Sequence, residues 1–276
     1  KTQRLHGLNA SGRSPIDRSY NRLIEELDGA NSIPSLGHLP VTVPGAVDGW
    51  FELHRKFGRL PMAEILRPTI NYANQGFPVS PVIAYYFARA ERSFERRKDS
   101  IEEFSNARET YFKPAAPKAG EIFHNPDLAR TLTLIATNGR DAFYRGEIAE
   151  TIDAYMRDIG GDLSAEDFAL HRSEWVAPAC VPYREVELCE LPPNGQGFAA
   201  LQMVSILNNV NLAQWRRDDA NVWHFLTEAK RLAFEDLARY YADPAFSEIP
   251  TSELLSEDYG KKRFDLINPE RATASF

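Results

Sequence analysis

The sequence predicts a helix-rich chain of the α+β class, on three observations. Apolar residues recur at helical spacing over stretches that end in glycine or proline. Only Val41-Thr-Val43 and the residues near 183–191 read as strand, the latter because Glu185-Val-Glu-Leu188 alternates polar and apolar side chains. The passage Glu190–Gln202, ELPPNGQGFAALQ, then joins that strand to a helix through a glycine turn.

The 276 residues are 43% apolar, enough for a core that needs neither disulfide nor metal to hold it. No repeat and no long linker divides the chain, so residues 1–276 read as a single domain. The net charge of −7 argues against general nucleic-acid binding, which needs concentrated positive charge. The basic clusters, such as Arg96-Arg97-Lys98, are flanked by acids and read as solvated helix faces. No run of about 18 apolar residues is present, so no membrane span is expected.

Taken in order, residues 1–40 are polar and turn-rich. Within them Leu8-Asn-Ala-Ser-Gly-Arg-Ser-Pro15 carries one arginine, Arg13. It is either a solvated surface group or a fixed guanidinium for a carboxylate. After Pro44-Gly45, Val47, Trp50, Phe51 and Phe57 recur on or near one helix face, with Gly58 as its stop. A second helix starts near Pro61 and carries Met62, Ile65, Leu66, Ile70 and Ala73, and Pro68 should kink or interrupt it. Val82, Ile83, Tyr86 and Phe87 suggest another helix.

Asn125-Pro126 is a cap followed by proline at the first helical position, and Asn138-Gly139 is the stop. Ile148, Ile152, Tyr155, Met156 and Ile159 form a stripe closed by Gly160-Gly161. Ser164-Ala-Glu-Asp167 resembles a capping box. Asp158, Asp162, Glu166 and Asp167 read as caps and surface. The longest helix runs from about Asp219 to Ala242, with Glu235 and Arg239 as an i,i+4 pair. Cys180 and Cys189 read as reduced and buried: if one strand joins them, their odd separation puts them on opposite faces.

Familiar chemistry is sparse. No two of the six histidines lie within four residues of each other, so no local metal motif exists. No nucleophile elbow and no P-loop occur. Gly195-x-Gly197-x-x-Ala200 fits a dinucleotide fingerprint as a bare pattern, but Pro192-Pro193 interrupts the passage from strand to glycine, and the pattern comes late in the chain. A turn whose glycines need positive φ or close packing is the simpler reading. No cofactor is expected.

Several blocks together resemble the large subunit of the γ-glutamyltranspeptidase family. They are Leu8–Pro15, Val41-Thr-Val-Pro-Gly-Ala-Val-Asp-Gly-Trp50, Asn138-Gly-Arg-Asp-Ala-Phe-Tyr-Arg-Gly-Glu-Ile-Ala149, Leu191-Pro-Pro-Asn-Gly-Gln-Gly197, Glu228–Phe234 and Arg239–Pro244. The resemblance runs along nearly the whole chain. It implies a four-layer αββα sandwich of the N-terminal-nucleophile hydrolase type, completed by a small subunit cut from the same precursor. It also implies a γ-glutamyl acyl-enzyme on the small subunit's N-terminal threonine, resolved by water or an amino acid. No catalytic residue is therefore assigned in this chain. Phe276 falls shortly before the family's cleavage site, a glycine-rich segment is expected upstream of Lys1, and the chain alone should expose apolar surface and be inactive.

The resemblance makes Arg13 the candidate for holding the α-carboxylate of the γ-glutamyl group. The family's arginine is followed by an acid, whereas Arg13 is followed by Ser14. Aligning on Pro15 would put Ser11 in its place. The block is also similar to that of cephalosporin and glutaryl acylases of the same architecture, the alternative activity. A non-catalytic relative is a third reading.

Overall fold

The computed structural model describes residues 4–101 and 104–273. The elements in chain order are β1 (Gly7–Asn9), α1 (Tyr20–Leu27), α2 (Ala46–Phe57), α3 (Met62–Gln75), β2 (Phe77–Pro78), α4 (Pro81–Glu95) and α5 (Ser105–Tyr111). There follow β3 (Ile122–Phe123), α6 (Pro126–Asn138), α7 (Asp141–Tyr144), α8 (Glu147–Asp158), α9 (Ala165–Leu170) and β4 (Glu174–Val176). The chain continues with β5 (Ala179–Tyr183), β6 (Val186–Glu190), α10 (Gly197–Leu207), α11 (Ala220–Tyr240), α12 (Thr251–Leu254) and α13 (Glu257–Phe264). The strands pair antiparallel in three ladders, β1 with β4, β2 with β3 and β5 with β6. Contacts group the chain into two compact units, Ala10–Ser173 and Lys1–Asn9 with Glu174–Phe276.

In the Ala10–Ser173 unit the core gathers Val47 of α2, Leu66 of α3, Ile135 of α6, Phe143 and Tyr144 of α7, Met156 of α8 and Phe168 of α9. Each such side chain contributes about 1.5–3 kcal/mol by leaving water. The caps read from sequence are in place. Asn125 Oδ1 accepts from Leu128 N–H at 2.9 Å. Gly76, Gly139 and Gly160 take positive φ at helix ends, where a side chain would be strained. Ser164 and Asp167 form the full capping box.

Three expectations fail here. Val41–Val43 is not a strand, because Val43 N–H is spent on Arg13 O and no ladder forms. Pro68 does not break α3: it forfeits a single i→i−4 bond, while Leu66 and Ala73 on either side stay buried. Trp50 and Phe57 are exposed at 40% and 53%, leaving Val47 and Phe51 as the inward residues of α2. Asp162 is also no surface acid. It pairs with Arg18 at 2.8 Å and with Arg22 at 2.5 Å.

In the other unit α10 and α11 pack together, with Ile206 and Leu207 buried against Phe225, Ala229 and Leu232, while Phe198 and Leu201 pack with Val181 of β5 and Leu254 of α12. Buried Glu228 on α11 accepts from Arg231 Nη1 at 2.9 Å and from Thr273 N–H at 3.2 Å. Glu235 turns to Arg263 of α13 at 2.6 Å rather than to Arg239, whose guanidinium lies over the Tyr240 ring.

The cysteine reading is overturned. The residues between Cys180 and Cys189 form a hairpin, not one strand, with Arg184 at φ 55° in the turn. Cross-strand pairing puts the two cysteines directly opposite each other, and they form a disulfide. Nor is the pair buried: Cys180 is exposed and Cys189 half-buried.

Candidate functional site

The segment that carries Arg13 is held by its backbone. Arg13 O accepts from Val43 N–H at 3.0 Å. A Cβ on neighbouring Gly12 would stand 1.6 Å from Val43 O, and one on Gly45 would stand 1.8 Å from Ala10 O. The two glycines let two stretches of main chain touch where any side chain would part them. Downstream, Ile16 N–H donates to Asp167 Oδ1 at 2.7 Å and Arg18 Nε donates to Asp162 Oδ2 at 2.8 Å. Arg13 itself is solvent-exposed, as are Ser11 and Ser14. The result is an exposed Arg13 on a backbone held by a hydrogen bond and close packing, an arrangement suited to bidentate recognition of a carboxylate.

Behind this segment lies a buried polar hub that spacing did not reveal. Asp48, in the first turn of α2, is 3% exposed. Its Oδ1 accepts from Arg140 Nε, and its Oδ2 accepts from Ser173 N–H at 2.6 Å. Tyr144 Oη accepts from Asp48 N–H at 3.0 Å and donates to Pro44 O at 2.7 Å. Arg140 Nη2 donates to His171 O at 2.7 Å, and the guanidinium stands 4.5 Å from the Tyr144 ring centroid. His171 stacks on the Tyr144 ring, with centroids 5.3 Å apart.

The charges follow from this geometry. Burial opposes ionisation of Asp48, but the donors of Ser173 and Arg140 outweigh it and hold its carboxyl below the usual range. Burial pushes His171 down despite the Asp48 charge 3.9 Å from its Nε2. Burial pushes the Tyr144 hydroxyl up to about 12. At neutral pH the hub is thus an Asp48–Arg140 ion pair wrapped by a neutral imidazole and a neutral phenol. Asp48, Tyr144 and His171 are buried while Arg140 keeps 21% of its side chain exposed, an arrangement suited to bracing neighbouring backbone.

The Glu190–Gln202 passage is a different kind of structure. β6 pairs with β5 antiparallel, with no parallel βαβ crossover to form a dinucleotide cradle. Neither Gly195 nor Gly197 has positive φ, against that half of the expectation. Gly197 does show the close packing, since a Cβ there would stand 2.4 Å from Glu190 Oε2, whereas nothing lies within 4 Å of one on Gly195. Asp219 caps α11, accepting from Asn221 N–H at 2.8 Å. Among the described residues no group of three His, Cys, Asp or Glu side chains could hold a metal ion, and no helix is long and apolar enough to cross a membrane.

The fold defines the class. The chain has the α+β fold of the N-terminal-nucleophile hydrolases, helix-rich with short ladders. It matches the crystal structure of Helicobacter pylori gamma-glutamyltranspeptidase with a TM-score of 0.86 at 27% identity, over 98% of this chain and 76% of that one. It matches cephalosporin acylase from Bacillus halodurans with a TM-score of 0.87 at 36% identity, over 97% of this chain and 49% of that one. The chain belongs to the gamma-glutamyltranspeptidase family, whose model matches residues 1–276. Among relatives, the glutathione hydrolase-like YwrD proenzyme of Bacillus subtilis is 34% identical over 264 residues, 95% of this chain and 48% of that protein. The chain therefore spans about half the length of that relative.

Asp48 and Arg140 each lie inside a family block, yet neither is marked by spacing or motif. They lie 92 residues apart, and no periodicity links them. The available signal was an acid in the first turn of an otherwise apolar helix face.

Proposed function

We propose that this chain is the large-subunit part of a self-processing γ-glutamyltransferase/hydrolase that cleaves γ-glutamyl amides such as glutathione. The nucleophile is the N-terminal threonine of a small subunit released from the same precursor. Its Oγ attacks the γ-carbonyl carbon and its own α-amino group takes the hydroxyl proton. The C–N bond of the amide then breaks, and the proton passes to the leaving amine. Backbone donors stabilise the oxyanion, and water or an amino acid then accepts the acyl group. Arg13 holds the α-carboxylate of the γ-glutamyl group. The reading rests on family membership and on proenzyme relatives named glutathione hydrolases. The observation that carries it is the exposed Arg13 on a backbone fixed by Val43 and Gly12.

The second reading, a cephalosporin or glutaryl acylase, is favoured by the 36% identity to the Bacillus halodurans acylase and by Ser14 following Arg13. Turnover of γ-glutamyl-p-nitroanilide against glutaryl-p-nitroanilide by the assembled two-subunit enzyme separates them. Arg13→Ala is expected to raise KM for the γ-glutamyl substrate roughly 10- to 100-fold, the worth of a charge-assisted contact. An unchanged KM would remove Arg13 from the site.

A further inference from the structure

We infer that Asp48 is a positioning residue for substrate binding, acting through the backbone of the Ala10–Arg13 segment. This rests on the reading of Arg13 as the carboxylate contact.

The path is continuous. From inside, Asp48 is fixed by Arg140 and by Ser173 N–H, at 2.6 Å. Its own N–H and Pro44 O are joined through one hydroxyl, Tyr144 Oη, at 3.0 and 2.7 Å. That hydroxyl clamps the turn between Val43 and the start of α2. From outside, the same turn carries the Arg13 segment: Val43 N–H holds Arg13 O at 3.0 Å, and Gly12 and Gly45 bring the two backbones into contact. A Cβ at Gly45 would also stand 3.0 Å from His171 Cε1, so the turn is bounded by the hub on one side and by Ala10 O on the other.

No side chain intervenes between turn and segment, so a shift of the turn transfers to the Arg13 backbone. A shift of about 1 Å in a binding group is enough to cost on the order of a hundredfold in rate or affinity. Asp48 is buried within the hub, 3% exposed. Its contribution is the placing of an arginine about which it has no direct contact.

The titratable and charged groups that face Asp48 are Arg140, His171 and Tyr144. Asn at position 48 keeps the shape and one acceptor but loses the charge that aligns Arg140. In the assembled two-subunit enzyme, Asp48→Asn is expected to raise KM for γ-glutamyl-p-nitroanilide roughly tenfold, with kcat changed by less than about twofold. In an Arg13→Ala background the same substitution should leave KM where Arg13→Ala alone puts it, because both changes remove one interaction. Tyr144→Phe, which keeps the ring and deletes only the clamping hydroxyl, should show the same non-additive rise and carries the test if Asp48→Asn does not assemble.

Independent, multiplicative effects of the two substitutions would overturn the inference. So would a loss of active enzyme with KM unchanged, the signature of a merely structural role. An unchanged KM on Arg13→Ala alone would bring down the carboxylate reading first and this inference with it. A rise on Arg13→Ala with none on Asp48→Asn or Tyr144→Phe would overturn only the positioning role.

Discussion

Each unit of the molecule buries an aspartate among polar partners, and the two behave in opposite ways. Asp48 receives a guanidinium and a backbone N–H, and these outweigh burial and hold it ionised. Asp236 of α11 receives Tyr259 Oη at 2.9 Å and Gln202 Nε2 at 2.8 Å, with Arg263 Nη2 at 3.3 Å. There burial prevails over these donors, Glu235 adds its own charge, and the carboxyl is raised. The difference teaches that enclosure alone does not set a carboxylate's role. Arg140 also reaches His171 O and Asp141, but its Nε bonds Asp48 directly and makes it a brace. At Asp236 the guanidinium is shared with Glu235 at 2.6 Å and Leu232 O at 2.8 Å, which leaves a network of mostly neutral donors.

The comparison is most exposed to failure at Asp48. Asp48→Ala removes the buried carboxylate that Arg140 Nε and Ser173 N–H both need, and should cost about 3 kcal/mol in urea unfolding of the protein. A loss below about 1 kcal/mol would mean that the hub does not organise its unit. Replacing Cys180 and Cys189 with serine opens a short closed loop in the other unit and should cost about 2–3 kcal/mol. Hydrogen exchange should place that loss in residues 174–276 and leave 10–173 protected. Asp236→Asn should cost only about 1 kcal/mol at pH 7, since Arg263 keeps two other partners. A penalty of about 3 kcal/mol would erase the distinction between the two aspartates.

The smallest effect is the pH dependence, and its signs differ between the units. His171 and Asp48 are both depressed in the folded state. Their stabilisation is present above the unfolded values of about 6.5 and 3.9 and is lost as pH falls through the folded ones. Asp236 is raised, so its stabilisation is full below about pH 3.9 and is lost as pH rises through its folded value. Exchange rates corrected for intrinsic chemistry should therefore show residues 10–173 losing protection on acidification from pH 7. The surroundings of Asp236 should gain protection as its carboxyl takes up a proton. Parallel losses in both units would contradict the assignment.

Much of the helical framework was legible because its signals are local. Asn125-Pro126, Ser164 to Asp167 and the closing glycines each state a boundary within four residues. Of the proposed site the sequence offers only Arg13, through the family blocks. What escaped was non-local or depended on a turn. Asp48 and Arg140 meet across 92 residues, and Asp162 finds Arg18 across 144. The cysteines were misread because Arg184-Glu185 lacks the Asn-Gly or Asp-Gly turn signal, so a hairpin passed for a single strand. Val41–Val43 has strand-like residues, but its N–H groups had been claimed by a loop.

That hairpin has a consequence for the passage that follows it. Strand register is normally dictated by a buried face, since a slip of one residue turns every side chain over. In β6 that dictation is weak, because Val186, Glu187 and Leu188 are all exposed. The bond between Cys180 and Cys189 supplies what burial does not. Directly opposed sulfurs can be joined in one alignment of the strands and not in its neighbours. The crosslink is therefore a ruler: it counts off where β6 ends, and with it where Glu190 meets Gly197 and α10 begins.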